Sequence, residues 1–491
     1  MDSKIKFSML IALSAALAAV PVKAYFFKPE KISSEKLPDE KVDLDRFRKN
    51  LSDAIKIPTI ASKEPENTDW SNFEKFYEFL QERYPLIHSK LQIIDVGKGP
   101  LLYKWQGSDP TLDPIALLSH QDVVPISEGT YEDWTYPPFE GVDDGEFIWG
   151  RGALDMKNHL IAVMESVEDL LEEGFQPIRD IYICLGHNEE VMSSKDSGAI
   201  VMCKYFAENG IHLDCVLDEG GAILPVNVKG VINKNLAGIG IAEKGYADFE
   251  VSVTAKGGHS SQSPNHTALG YLADVIKDIE NNQFKAELSP MMMKLFDKIG
   301  RNCSYPVRLV TCNIKLLKPL LTKVMTYIPP AASLIRTTQG VTMASGSPAP
   351  NVLPQKASIN VNVRIYPGET VEDAKNHLRK VIKNKKAEIT VKPGWKNPSK
   401  LSPTDSRCFK AIEDICMRTD SNNIVAPYLV MGGTDACHYE DVCENIYRYS
   451  PFLVNTGLLL TTHGTNERIP ISSMSDGIQF FKRYIRKLSD K

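Results

Sequence analysis

The chain contains no Cys-x-x-Cys pair: its nine cysteines are dispersed, which excludes zinc-ribbon and thioredoxin-type motifs. Their odd number leaves at least one thiol unpaired if all pairing is internal. Positive charge is not in excess, with 57 Lys and Arg against 62 Asp and Glu and a formal net charge of -5. That balance gives no reason to expect nucleic acid or an anionic membrane surface as partner. The globular part has no internal repeat or low-complexity tract, and beyond Val22 no segment is apolar for long enough to span a bilayer.

What is present reads as a globular protein of 491 residues, 43% hydrophobic and 24% charged, long enough for two domains or one domain with a large insertion. Lys4 and Lys6 precede an apolar run from Phe7 to Val22, and Val22 and Ala24 occupy small-residue positions suited to cleavage. Residues 1–27 are thus expected to be a signal peptide or a membrane anchor, which places the protein in the secretory pathway, secreted or in a vacuolar or lysosomal lumen. Residues 28–44 lack apolar periodicity and read as a solvated linker. Asn50, Asn265 and Asn302 head triplets of the glycosylation type, compatible with that route.

From about residue 45 to 242, short apolar runs alternate with amphipathic stretches. Residues 114–118, 180–185 and 214–217 look like buried strands. Between the first two, Leu160, Ile161, Val163, Met164, Val167, Leu170 and Leu171 recur at helical spacing and stop at Gly174. Strand, helix, strand in that order predicts an α/β domain with a mostly parallel central sheet and helices on both faces. Near Glu243 the period changes to two, over residues 248–254 and again over 357–364, as in half-exposed strands. An inserted α+β domain is therefore expected over 243–366, with the first domain resuming over 367–491. Inside the insert, Met291-Met292-Met293 reads as core or groove filler rather than a cofactor site. It leans towards a pocket for a greasy group.

His120 and Asp122 flank one residue at the end of an apolar strand, and Asp155, Glu189-Glu190 and Asp218-Glu219 also follow on or near such strands. In a parallel sheet the carboxyl ends of neighbouring strands open on one crevice, so these groups become neighbours there. Imidazole and carboxylate donors without thiolate suit Zn, with Mn or Co as substitutes, and a bridging carboxylate permits a pair of ions. Of two adjacent acids, one can ligate while the other takes a proton from water.

Ser119-His120-Gln121-Asp122-Val123-Val124-Pro125, Gly150-Arg151-Gly152-Ala153-Leu154-Asp155-Met156-Lys157, Gly186-His187-Asn188-Glu189-Glu190 and Thr462-His463-Gly464-Thr465 together resemble the aminoacylase and carboxypeptidase family of di-zinc metallopeptidases, from about residue 45 to the end. The similarity is greatest to the branch that holds vacuolar carboxypeptidase S and the N-fatty-acyl amino acid hydrolases. The resemblance implies that His120 binds one metal, Asp155 bridges two, Glu190 and His463 bind the second, and Asp218 completes the first, with Asp122 orienting His120 and Glu189 acting as general base. In Asp218-Glu219 either acid can be the ligand; Asp218 is taken. The insert is implied to be a lid and, in many relatives, a dimerisation domain. Within it His259 matches a position that stabilises the oxyanion, often from the partner subunit, and Arg364 and Asn351 match substrate contacts. The chain departs from the family pattern at Cys437, where close relatives carry Arg.

The implied reaction is hydrolysis of an amide to an amino acid with a free carboxylate, of carboxypeptidase type on small peptides or, alternatively, on N-acyl amino acids. A non-catalytic binding protein of the same fold is the rival from another class. It would be expected to have lost ligands or the base, and here all are present.

Overall fold

The computed structural model describes residues 21–29, 35–191 and 197–489. The apolar run that predicts a signal or anchor lies almost wholly outside them, and among the described residues no helix is long and apolar enough to cross a membrane. Residues 35–43 depart from the expectation of a free linker. Leu37 N–H donates to the Arg418 carbonyl, Glu40 N–H to Gln479, and Lys482 and Arg483 reach back to the carbonyls of Lys41 and Pro38. The stretch is exposed yet fastened along the C-terminal helix Met474–Ser489.

The large sheet runs, in spatial order, through Gln92–Ile94, Leu101–Trp105, Ile181–Gly186, Ile115–His120, Cys215–Asp218, Ile446–Arg448, Ile232–Glu243 and Asn423–Val430. The pairings of Ile115–His120 with both its neighbours are parallel, and antiparallel strands lie outside them, so the sheet is mixed with a parallel centre. Its middle strands are buried on both faces, as continuous apolar runs require. Alternate residues feed two separate cores. Ile115 and Leu117 pack with the helices Lys157–Glu172 and Met474–Ser489 on one side, while Ala116 and Leu118 pack with the helix Gly198–Glu208 and the turn Asp435–Asp441 on the other. Helices on both faces follow from that alternation.

The smaller sheet is antiparallel, in the order Thr338–Ser345, Lys356–Ile365, Gly245–Thr254, Glu388–Val391. Phe249, Val251, Ile359, Val361 and Val363 pack against the helices Ala268–Asn281 and Val371–Val381. On the opposite face Asp248 accepts from Asn360 and Asn362. The predicted insert boundary at 366 is therefore too early: the helix Val371–Val381 and the strand Glu388–Val391, paired to Phe249–Ser252, complete this sheet. Conversely, residues from Leu288 to Ile335 contribute to the core of the large sheet, although they lie within the predicted insert. Met291 and Met292 are buried there, on the helix Pro290–Arg301, while Met293 lines a surface cavity with Ile314 and Phe409.

Candidate metal centre

His120 ends its strand with the ring held from behind. Its Nδ1 lies 2.9 Å from the Asp122 carbonyl oxygen and 3.4 Å from the Asp122 carboxylate, which turns Nε2 towards the crevice. There Nε2 stands 3.2 Å from Asp155 Oδ1 and 3.0 Å from Glu219 Oε1. The other oxygen of Asp155 lies 3.0 Å from His463 Nε2, which is also 3.0 Å from Glu190 Oε1. Asp155 thus spans the two imidazoles, one oxygen to each. His120 and Glu190 follow neighbouring strands of the large sheet, Asp155 arrives on the loop after Phe147–Trp149 of the three-stranded sheet, and His463 on the turn after the helix Thr456–Leu459.

Asp122 is fully buried and organises the next loop too: its two oxygens accept from Glu189 N–H and Glu190 N–H, both at 3.1 Å. The strand before that loop ends at Gly186, where a Cβ would strike the Asp435 carboxylate, so a larger residue would have to displace that side chain. A further acid, Glu467, was invisible in the sequence as a participant. Its Oε1 accepts from Gly152, Leu154 and Asp155 N–H at 3.0, 2.8 and 3.1 Å, and its Oε2 from Arg151 at 2.7 Å. Arg151 also donates to the Gly464 carbonyl. The fully buried Glu467 carboxylate thereby fixes the Asp155 loop to the loop of His463, which sits at φ 59°. A non-glycine residue held in that left-handed region is uncommon outside over-determined sites.

The two basic residues of the motifs do not face the acids. Arg151 is spent on Glu467, and Lys157, buried and lowered by that burial to about 7, donates to the carbonyls of Ala54 and Ile57. Neither basic residue of the motifs therefore reaches the carboxyl cluster. Burial, then the Asp155 charge, pushes Glu219 up to about 8. Burial raises Glu189 and Glu190 as well. His463 is raised to about 10 by its bonds to Asp155 and Glu190. Asp155 is buried, which works against its charge, but the two imidazoles hold it well below the usual carboxylate range.

The expectation for Asp218 is corrected. Asp218 shares a strand face with Val216, the face covered by the turn Asp435–Asp441, and its carboxylate accepts from Glu219 N–H and Ala436 N–H, both at 2.8 Å. Glu219, beyond the strand end, is the acid that reaches His120. His259 and Asn351 meet on the ribbon formed by Gly258–His259 and Val352–Leu353, where Ser260 N–H donates to the Asn351 carbonyl. Arg364 lies in the smaller sheet with its guanidinium over Tyr246. Among the described residues no hydrogen bond or ion pair joins these three to the acid cluster. Beside Cys437 the structure supplies a cation from elsewhere: Lys396 Nζ is 3.7 Å from its sulfur and 3.4 Å from Glu243. All nine cysteines are free thiols, and Asn50 is buried with its amide on Glu165, so it is no acceptor for glycan in the fold.

The sequence profile of Peptidase family M20/M25/M40 matches residues 116–487. The chain belongs to peptidase family M20. It is 36% identical over 439 residues to the Dictyostelium discoideum protein named Probable carboxypeptidase S-like 2, covering 89% of this chain and 84% of that one. It is 31% identical over 495 residues to an N-fatty-acyl-amino acid synthase/hydrolase of Xenopus tropicalis, covering 98% and 94%. Its fold matches that of an M20 family metallo-carboxypeptidase from Sulfolobus solfataricus with a TM-score of 0.65 at 19% identity, covering 90% of this chain and 99% of that one. As an M20 peptidase the protein is a metal-dependent amide hydrolase.

The donor set fits a metal. Ligands of a tetrahedral zinc with bonds of about 2.0–2.1 Å lie roughly 3.3 Å from one another. The 3.0–3.2 Å separations among His120, Asp155, Glu219, Glu190 and His463 are close to that edge. Nδ1 of His120 is already engaged, as a ligating imidazole requires.

Proposed function

We propose that this M20 peptidase holds two zinc ions, with Mn or Co as substitutes, and removes the C-terminal residue of small peptides. His120 and Glu219 would hold one ion, Glu190 and His463 the other, and Asp155 both. The observation that carries this is Asp155 placed between the two imidazoles, one oxygen on each. Bound there, the ions supply Lewis acidity towards the scissile carbonyl and lower the pKa of water.

Glu189 is the base. Its backbone is clamped by Asp122 beside the ligand Glu190, and its buried carboxyl, raised by desolvation, is suited to take a proton from water and return it to the departing amine. Lys396 supports recognition of the substrate's free carboxylate, since its charge is felt at Glu189 from the place where Cys437 offers none. His259, Asn351 and Arg364 contribute oxyanion and substrate contacts from the smaller domain, either on closure or from a second copy, which makes a homodimer through that domain part of the proposal. Secretory-pathway localisation completes it.

A second reading, hydrolysis of N-acyl amino acids, is favoured by the near-complete coverage of the Xenopus relative. The methionine run does not add to it, because Met291 and Met292 lie in the core. Turnover of a Gly-Leu-type peptide measured beside an N-oleoyl amino acid separates the two readings. Glu189→Gln should keep its zinc, measured by plasma mass spectrometry, and lose turnover by about 10²- to 10⁴-fold. Near-normal turnover would falsify the assignment of the base.

A further inference from the structure

The helix Ile314–Thr326 and the turn after it leave a face without a partner. Leu316, Leu320, Val324, Tyr327 and Ile328 are exposed by 79, 61, 48, 75 and 51%. At about 100° per residue Leu316, Leu320 and Val324 fall within a quarter of the helix circumference, and Tyr327 and Ile328 follow directly at its C-terminal end. Together the five large apolar side chains form a stripe, and such stripes on soluble proteins mark contact surfaces.

Two observations say what covers it. The first is charge. Between Asp297 and Glu369 the sequence has no acidic residue and nine Lys or Arg. The overall balance of -5 conceals this basic stretch, in which Lys298, Arg301, Lys318 and Lys356 form ion pairs with acids outside it. Lys315 and Lys323 border the stripe itself. The second is the place where the N-terminal apolar run arrives. Tyr305 OH donates to the Pro21 carbonyl, and Ala24 and Phe27 pack with Leu309 and Cys312, on the short helix Tyr305–Thr311 that leads into the striped one. Val22, Tyr25 and Phe26 are themselves 58, 57 and 73% exposed. Apolar side chains from both ends of this arrangement therefore border the same short helix.

We propose that this face docks on an anionic phospholipid bilayer, the stripe entering the headgroup boundary while the lysines meet lipid phosphates and carboxylates. An amphipathic helix with a basic flank and an aromatic residue at its edge has the composition of an interfacial segment. A second copy of the chain is a poorer occupant, because two-fold docking of the stripe on itself sets Lys315 and Lys323 against their own images. Docking here is separate from the N-terminal run: it orients the catalytic domain on the surface instead of tethering it by one end.

The test uses the full chain and vesicles of phosphatidylcholine with or without phosphatidylserine. Leu316→Glu, Leu320→Glu and Tyr327→Glu combined should reduce partition onto phosphatidylserine vesicles tenfold or more, with hydrolysis of a soluble dipeptide unchanged as the control for folding. Wild-type binding should also weaken with added salt. As a measurement that does not depend on the triple variant, a polarity-sensitive fluorophore on Leu320→Cys should shift to the blue when vesicles are added. Unchanged partition of the triple variant means that the N-terminal run alone holds the protein and overturns the proposal. A fluorophore already buried without vesicles, in a chain that sediments as a dimer, overturns it in favour of self-association.

Discussion

Replacing Glu467 by Gln isolates a residue outside the proposed ligand set that fastens the loops of two of its members. The substitution keeps the side-chain shape and leaves an oxygen for the N–H groups of Gly152, Leu154 and Asp155, but it sets an amide donor against Arg151, whose charge stays buried. Removing one partner of a buried pair costs about 3–5 kcal/mol. Glu467→Ala goes further, orphaning the three N–H groups at about 1–3 kcal/mol each. Since the same carboxylate joins the Asp155 loop to the His463 loop, metal affinity should fall by about 10- to 100-fold in the Gln variant, the range for outer-shell partners of a metal site, and further in the Ala variant. The assay is competition for zinc against a chelating dye, with urea denaturation reporting stability. Zinc affinity within a factor of two of wild type in Glu467→Gln would refute the reasoning, because the Asp155 loop would then owe its position to something else.

Three other outcomes are expected. Glu219→Gln should lose bound metal, whereas Asp218→Asn, which keeps an acceptor for Ala436 N–H, should retain it; zinc content per chain distinguishes them. Zinc should stabilise the protein more as pH rises from about 5 to 8. Glu219, raised in the fold from 4.5 to about 8, binds a proton that the unfolded chain releases, so metal-free stability falls with pH across that window. The pairing of His463, raised from 6.5 to about 10, acts in the same direction but less, since that ring is half exposed. Metal displaces both protons, so melting curves with and without chelator should diverge as pH rises and not as it falls. Finally, Lys396→Met should raise KM about tenfold or more for substrates with a free carboxylate while changing kcat little; an unaltered KM removes Lys396 from the substrate site.

The strand-end rule made two donors legible: His120 ends Ile115–His120 and Glu190 follows Ile181–Gly186, neighbours in one sheet. Asp155 follows the strand Phe147–Trp149 of a separate three-stranded sheet, and His463 follows the helix Thr456–Leu459 and was reached through the resemblance. The choice between Asp218 and Glu219 was not legible. Their strand is buried on both sides, so hydrophobicity carries no period from which to read which acid faces outward. The second domain's outer strands showed through their alternation, but its fourth strand, Glu388–Val391, is too short for a pattern and is fixed by antiparallel pairing far back in the chain, Ile389 lying opposite Val251, 138 positions earlier. The methionine run was readable as core and not as the core of which domain, since only the packing of its helix against the strand Asn423–Val430 decides that. Glu467 gave no signal: a single acid four residues after a histidine is common, and its value lies in three backbone contacts more than 300 positions away.

The imidazole on the second oxygen of Asp155 is supplied by residue 463 of 491. While the ribosome is still elongating the polypeptide, at about 5–20 residues per second, the first half of the cage can be in place with its closing member not yet made. On the proposed reading the second ion could not be held until His463 has been made, so the pair of sites would be completed in two stages.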